Sequence, residues 1–186
     1  MVGLLFYFPA LNALVAKDGV TLGQFGIFLL LSYAAGHFIA ALGNVLEGVL
    51  WRPFGGMPSD WVTKQPSSLL SLQQIAVLET KVTSRFNVNI GKLSGMDRNV
   101  WWPISRQVYA DVGKNGKVER IDTFSGNYGL NRGLSAACVA LAIVAAIQTQ
   151  WYVVIGFLAL AIVFAYRAYR FGVHYARELY LQFLVL

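Results

Sequence analysis

The chain has 186 residues, of which 56% are hydrophobic and only 13% are charged. A soluble domain usually carries about a quarter of charged residues, so this composition excludes an ordinary soluble protein and indicates an integral membrane protein. The formal net charge of +6 is better explained by membrane orientation than by nucleic-acid binding. The single cysteine, Cys138, excludes a disulfide framework within one chain.

Two apolar segments open the chain. Residues 2–16 form a short apolar run that contains Pro9, which predicts a first membrane element that is kinked or tilted. Residues 24–51 form a longer run, of about 27 residues and about 40 Å as a helix, which exceeds a hydrocarbon core of about 30 Å. Together they predict a first membrane helical hairpin over residues 1–51.

The second apolar segment carries a stripe of polar side chains. Its members follow one another at spacings of four, seven and three, which places them on one side of a helix. They are Tyr33, His37, Asn44 and Glu47. Ionisable groups in a membrane are costly unless they face other helices or a water-filled cavity, so the stripe predicts a partner surface or an aqueous path.

His37 has two readings within this stripe. It could line or gate a pore in response to pH, since histidine titrates near neutrality. We favour a hydrogen bond to Tyr33, Asn131 or a backbone carbonyl. No second His, Cys or carboxylate stands at ligand spacing, so a metal site is not expected.

The composition changes after Trp51. Gly and Pro residues mark an exit from the bilayer, and residues 52–125 form the only sizeable polar region. We predict one amphipathic helix over residues 69–86 and a second near residues 100–112, with Pro103 in its first turn. This part of the chain is therefore predicted to be a cytoplasmic helical region.

Two more apolar runs follow, at residues 133–148 and 151–166. The small residues of the first run permit close helix packing. These runs predict a second membrane helical hairpin over residues 126–166, followed by a C-terminal cytoplasmic helix over residues 167–186. The fold class is then an all-α integral membrane protein with about four transmembrane helices.

The charges predict the orientation of these helices. Residues 52–125 contain ten Lys and Arg against six Asp and Glu, and residues 166–186 contain three Arg against one Glu. Because basic segments stay on the cytoplasmic side, four spans would place the central region and both termini in the cytoplasm.

A pair and a second stripe connect the two hairpins. Glu47 and Arg132 lie at similar depth near the membrane boundary, and we expect an ion pair that acts as a clasp rather than in ion conduction. The second stripe consists of Asn127, Asn131 and Ser135. The two stripes could pack together and be hidden, or line a conduit in an oligomer.

Enzymatic chemistry finds little support in the sequence. Arg167 and His174 have the R-x6-H spacing of a class of helical ribonucleases, but an Arg that snorkels from a helix end and a packed His explain both residues better. No catalytic fingerprint is present, and no cofactor or metal is implied. We therefore expect a protein that is not an enzyme.

Three segments carry a family resemblance: SYAAGHFIAALGNVLE, FSGNYGLNRGLSAA and YRFGVHYARELYLQF. They resemble small multipass bacterial membrane proteins of antiphage defence, including the pore-forming accessory protein of type VI-B CRISPR systems, in which an Arg/His motif is likewise read as nuclease-like. The resemblance implies a homo-oligomer in the bacterial inner membrane that perturbs this membrane during infection. An alternative is a membrane-anchored sensor or scaffold whose basic region binds a cytosolic protein or, less expected, a nucleic acid.

Overall fold

The structure, a computed structural model, describes residues 22–64, 67–115 and 118–186. Within these ranges every regular element is a helix and there is no strand. The five α-helices are α1 (Leu22–Trp51), α2 (Leu72–Phe86), α3 (Arg98–Asn115), α4 (Glu119–Ile147) and α5 (Trp151–Val185), with short 3₁₀ helices at Arg52–Phe54 and Pro58–Thr63. The membrane element predicted at residues 2–16 lies outside the described residues.

Three helices are long and apolar enough to cross a membrane. They are α1, which supplies most of a candidate span at Phe25–Thr63, together with α4 and α5. The all-helical class, and the presence of helices long and apolar enough to span a membrane, are thus confirmed for the part of the chain that the structure describes. These three helices correspond to the second, third and fourth predicted spans.

Helices α4 and α5 form the most extensive helix pair. Small residues on α4 let the two backbones approach, and Ala142 and Ala145 pack against Val154 beside the connecting turn. Further along the pair, the Ser135 hydroxyl donates to the carbonyl oxygen of Ala161 at 3.0 Å.

Helix α5 continues from the hairpin into a second hydrophobic core. The predicted boundary at residue 166 falls inside this helix, which runs without a break to Val185. Many of the large, fully buried side chains of this core come from α2, α3 and the end of α5; they include Leu78, Trp101, Val108, Tyr180 and Phe183. Burying each such side chain contributes about 1.5–3 kcal/mol. We call this unit, residues 52–115 with the C-terminal half of α5, the helical body.

Two helix starts differ from the sequence prediction. Helix α2 begins at Leu72 rather than residue 69 because Ser71 caps it: the Ser71 hydroxyl accepts from the Gln74 N–H, and the Gln74 side chain accepts from the Ser71 N–H. Helix α3 begins at Arg98, so Pro103 is not in its first turn but further along the helix. The earlier start follows from Asp97, whose carboxylate accepts from the N–H of Asn99 at 2.7 Å.

Candidate functional site

The end of α1 joins α4 through a chain of polar contacts that we call the junction: Glu47, Trp51, Tyr128 and Arg132. The Trp51 indole N–H donates to the Tyr128 hydroxyl at 2.9 Å, and this hydroxyl donates to Glu47 Oε2 at 2.7 Å. Arg132 Nη1 donates to the same carboxylate oxygen. The structure therefore brings together Glu47 and Arg132, which the sequence analysis paired, and adds two aromatic partners.

The two charged side chains of the junction are half-buried and pair with each other. The side chains of Arg132 and Glu47 are 21% and 26% exposed, and the Arg132 guanidinium also lies 5.5 Å from the centre of the Tyr128 ring. A charge at this depth is costly alone, but here each is paired and hydrogen-bonded. The arrangement neutralises both charges and fixes α1 against α4.

Two glycines make room for this junction. Gly43 on α1 packs against Arg132, whose Nε would lie 3.5 Å from an added Cβ. Gly172 on α5 is tighter, because a Cβ there would lie 2.8 Å from Cζ2 of Trp51. Real Cβ atoms do not approach this closely, so Trp51 occupies its position only because residue 172 has no side chain.

Aromatic rings surround Trp51. Its ring centre lies 5.4 Å from that of Tyr169 and 6.0 Å from that of Trp61, and Phe54 lies 4.9 Å from Tyr169. Such tilted ring pairs each contribute about 0.5–1.5 kcal/mol beyond their burial. This aromatic cluster is not predicted from the sequence above. Its signal was the group of aromatic residues just where α1 ends, as in the aromatic belt of a membrane interface.

The rest of the α1 stripe has no such cover. Tyr33 is 69% exposed, and His37 and Asn44 are exposed as well. The ring of Tyr33 contacts that of His37 edge-on, with 4.5 Å between the ring centres. Asn131, another partner expected for His37, instead donates its amide N–H to the Asn127 carbonyl oxygen. Among residues 25–51 only Gly43 and Trp51 are buried. Of the four stripe residues, only Glu47 engages another of the helices that the structure describes.

The second stripe is enclosed within the chain. Asn131 and Ser135 are buried, and Asn127 is half-buried. The Asn131 amide donates to Asn127 at 2.7 Å, the Asn127 amide donates to the Thr123 carbonyl oxygen at 2.8 Å, and Ser135 donates across to α5. The two stripes therefore do not meet: the second has its donors satisfied inside α4 and the α4–α5 hairpin.

Arg167 and His174 both lie against aromatic rings. The Arg167 guanidinium is 5.8 Å from the centre of Phe171, and His174 stacks on Phe124 at 5.5 Å. Phe124 and Phe171 also contact each other at 6.4 Å. His174 thus takes part in the packing of α5 on α4, whereas Arg167 is exposed and contacts a ring of its own helix. Among the described residues, no group of three or more His, Cys, Asp or Glu could hold a metal ion.

Comparison of the chain with protein-family models, with curated proteins and with solved structures gives no match.

Proposed function

We propose that this protein is a homo-oligomeric effector of the bacterial inner membrane, in which α1 helices from several copies surround or gate a conduit, acting in antiphage defence. The observation that carries the proposal is the uncovered stripe of Tyr33, His37 and Asn44 on α1. These side chains lie on a helix apolar enough to cross a membrane. Facing lipid, they would leave polar groups without partners, which is costly.

The depth of His37 strengthens this argument. It precedes Glu47 by ten residues, so it lies about 15 Å further along the helix. With Glu47 at the membrane boundary, His37 comes close to the middle of a hydrocarbon core of about 30 Å. Neighbouring copies of α1, with or without enclosed water, would supply the polar surroundings that the described part of one chain does not.

The second stripe narrows the choice of lining helix. Because Asn131 and Ser135 are buried in the α4–α5 hairpin, this hairpin supplies an anchor rather than a wall of the conduit. Among the described helices, each copy then contributes α1 to the conduit. A ring of several subunits is needed to enclose a path, since one or two helices cannot.

The experiment is ion flux through the full chain reconstituted in liposomes. We expect flux from the wild type, and a changed conductance or ion selectivity in His37→Ala. The matched control is Phe38→Ala, which truncates an exposed ring (64%) about 100° around α1 and should leave flux unchanged. A purified oligomer that conducts no ions would refute the proposal.

The alternative, a membrane-anchored scaffold, is favoured by the exposed charges. Among the described residues, ten Lys and Arg are exposed against three Asp and Glu. This excess suits an acidic cytosolic protein or a nucleic acid. Crosslinking in cells tests it: recovery of one partner, lost when Arg106 and Lys114 are changed to Glu, would favour the scaffold, and recovery of none would remove its support.

A further inference from the structure

We propose that a cleft at the body end of α1 binds the headgroup of an anionic phospholipid. The cleft has a volume of about 640 Å³ and lies beside the junction. Its lining includes Asn44, Val45, Val49, Arg52, Met57 and Arg98. It touches the stripe only at Asn44, and the residues on which recognition depends, Arg52 and Arg98, lie beyond the stripe, so the cleft is distinct from the conduit proposed above.

The cleft is apolar on one side and basic on the other. Val45 and Val49 belong to the exposed apolar surface of α1, at 70% and 66% exposure. Arg52 follows directly after the last residue of α1, and Arg98 opens α3. A lipid at a membrane boundary has the same order, with acyl chains beside the helix and a phosphate beyond its end.

The basic side of the cleft retains free donors. Arg52 is exposed and has no ion pair with any described residue. Arg98 places its Nε 3.0 Å from Asp60 Oδ2, and its side chain is 62% exposed, which orients the guanidinium and leaves its terminal nitrogens to bind. Planar guanidinium groups suit a phosphate, which they can contact through two parallel hydrogen bonds.

The acidic residues nearby do not cancel this charge. Glu47 also lines the cleft, but its carboxylate is engaged by Arg132 and Tyr128. Asp60 is buried and pairs with Arg98, so the net positive charge of the cleft comes from Arg52. The N–H groups of Gly55 and Gly56 already donate to the carbonyl oxygens of Arg52 and Trp51, so recognition depends on the two guanidinium groups rather than on the backbone.

The test is native mass spectrometry of the full chain released from vesicles of phosphatidylcholine alone or mixed with phosphatidylglycerol. We expect retained phosphatidylglycerol in preference to phosphatidylcholine. Arg52→Gln should lower this retention about fivefold, from the attraction of one basic residue for an anionic leaflet, and Arg52→Lys should restore most of it. The control Arg106→Gln removes an exposed arginine that stacks on Trp102 and should leave retention unchanged.

Two results would overturn the inference. The first is equal retention of both lipids, or equal retention by the wild type and Arg52→Gln at matched thermal stability. The second is that added glycerol phosphate displaces phosphatidylglycerol and phosphatidylcholine to the same extent. This result would assign the cleft to free phosphate. Neither result depends on ion flux, so this inference and the proposed conduit can fail separately.

Discussion

Gly172 provides the sharpest test of the junction, because one added methyl group should disturb it. In Gly172→Ala the new Cβ would lie 2.8 Å from Cζ2 and 3.1 Å from Cη2 of Trp51. The indole cannot simply turn aside, since its N–H is bonded to Tyr128 and its ring packs on Tyr169. Overpacking of this kind costs about 1–3 kcal/mol.

An opposing term sets the net magnitude. Replacing Gly by Ala inside a helix favours the helix by about 1 kcal/mol. We therefore expect a net destabilisation by Gly172→Ala of about 0–2 kcal/mol, together with a red shift of tryptophan emission as Trp51 loses its packing. The matched control is Gly156→Ala in the same helix, where an added Cβ meets nothing within 4 Å and stability should rise or stay unchanged.

The assay is reversible unfolding of the purified protein in detergent micelles, followed by circular dichroism and tryptophan fluorescence. Equal stability of Gly172→Ala and Gly156→Ala would refute the packing argument. A further variant isolates the cause: Trp51→Phe shortens the ring that reaches residue 172, so Gly172→Ala should cost less in that background than in the wild type.

Three further predictions concern other contacts. Glu47→Gln or Arg132→Gln alone should destabilise the protein in the same unfolding assay, by less than the loss of about 3–5 kcal/mol expected on breaking a fully buried pair. The double variant should cost less than the sum of the two single variants. Strict additivity would contradict the pairing. Ser71→Ala should cost about 1 kcal/mol by removing the cap of α2, which equal denaturation midpoints would exclude. In a Cys138→Ser background, His37→Cys should form disulfide-linked dimers in membranes if α1 helices meet; monomer alone under oxidation would count against assembly through α1.

The apolar helices could be predicted because their hydropathy signal is summed over many residues. Helices α1, α4 and α5 each contain a long apolar run that no soluble surface would tolerate. The course of α5 beyond residue 166 is different. Beyond that residue the sequence pattern stays helical, but the apolar face of α5 packs into the core around Tyr180 and Phe183. Periodicity shows only that a face is apolar, not what covers it.

The two polar stripes also show that helical spacing does not reveal what covers a helix face. Both have helical spacing, and the sequence could pair them or let them line one conduit. In the structure Ser135 bonds to α5 and Asn131 to its own helix, whereas Tyr33 and His37 have no other helix beside them among the described residues. Spacing along one helix fixes which side chains share a face, but the rotation of that helix against its neighbours depends on distant residues such as Gly172.

The position of the junction gives α1 an uneven attachment. Gly43 and Trp51, its buried residues, both lie in its last third, next to Glu47 and Arg132. The preceding part, residues 25–42, has no buried residue, so packing within the described chain contributes little to holding it in place. Because α4 and α5 are fastened to each other and to the helical body, the junction is where the position of α1 is set relative to that rigid unit. Changes at Glu47, Arg132 or Gly172 should therefore alter how α1 helices meet in an assembly, even though Glu47 lies about 15 Å from His37 along α1 and the other two residues belong to other helices.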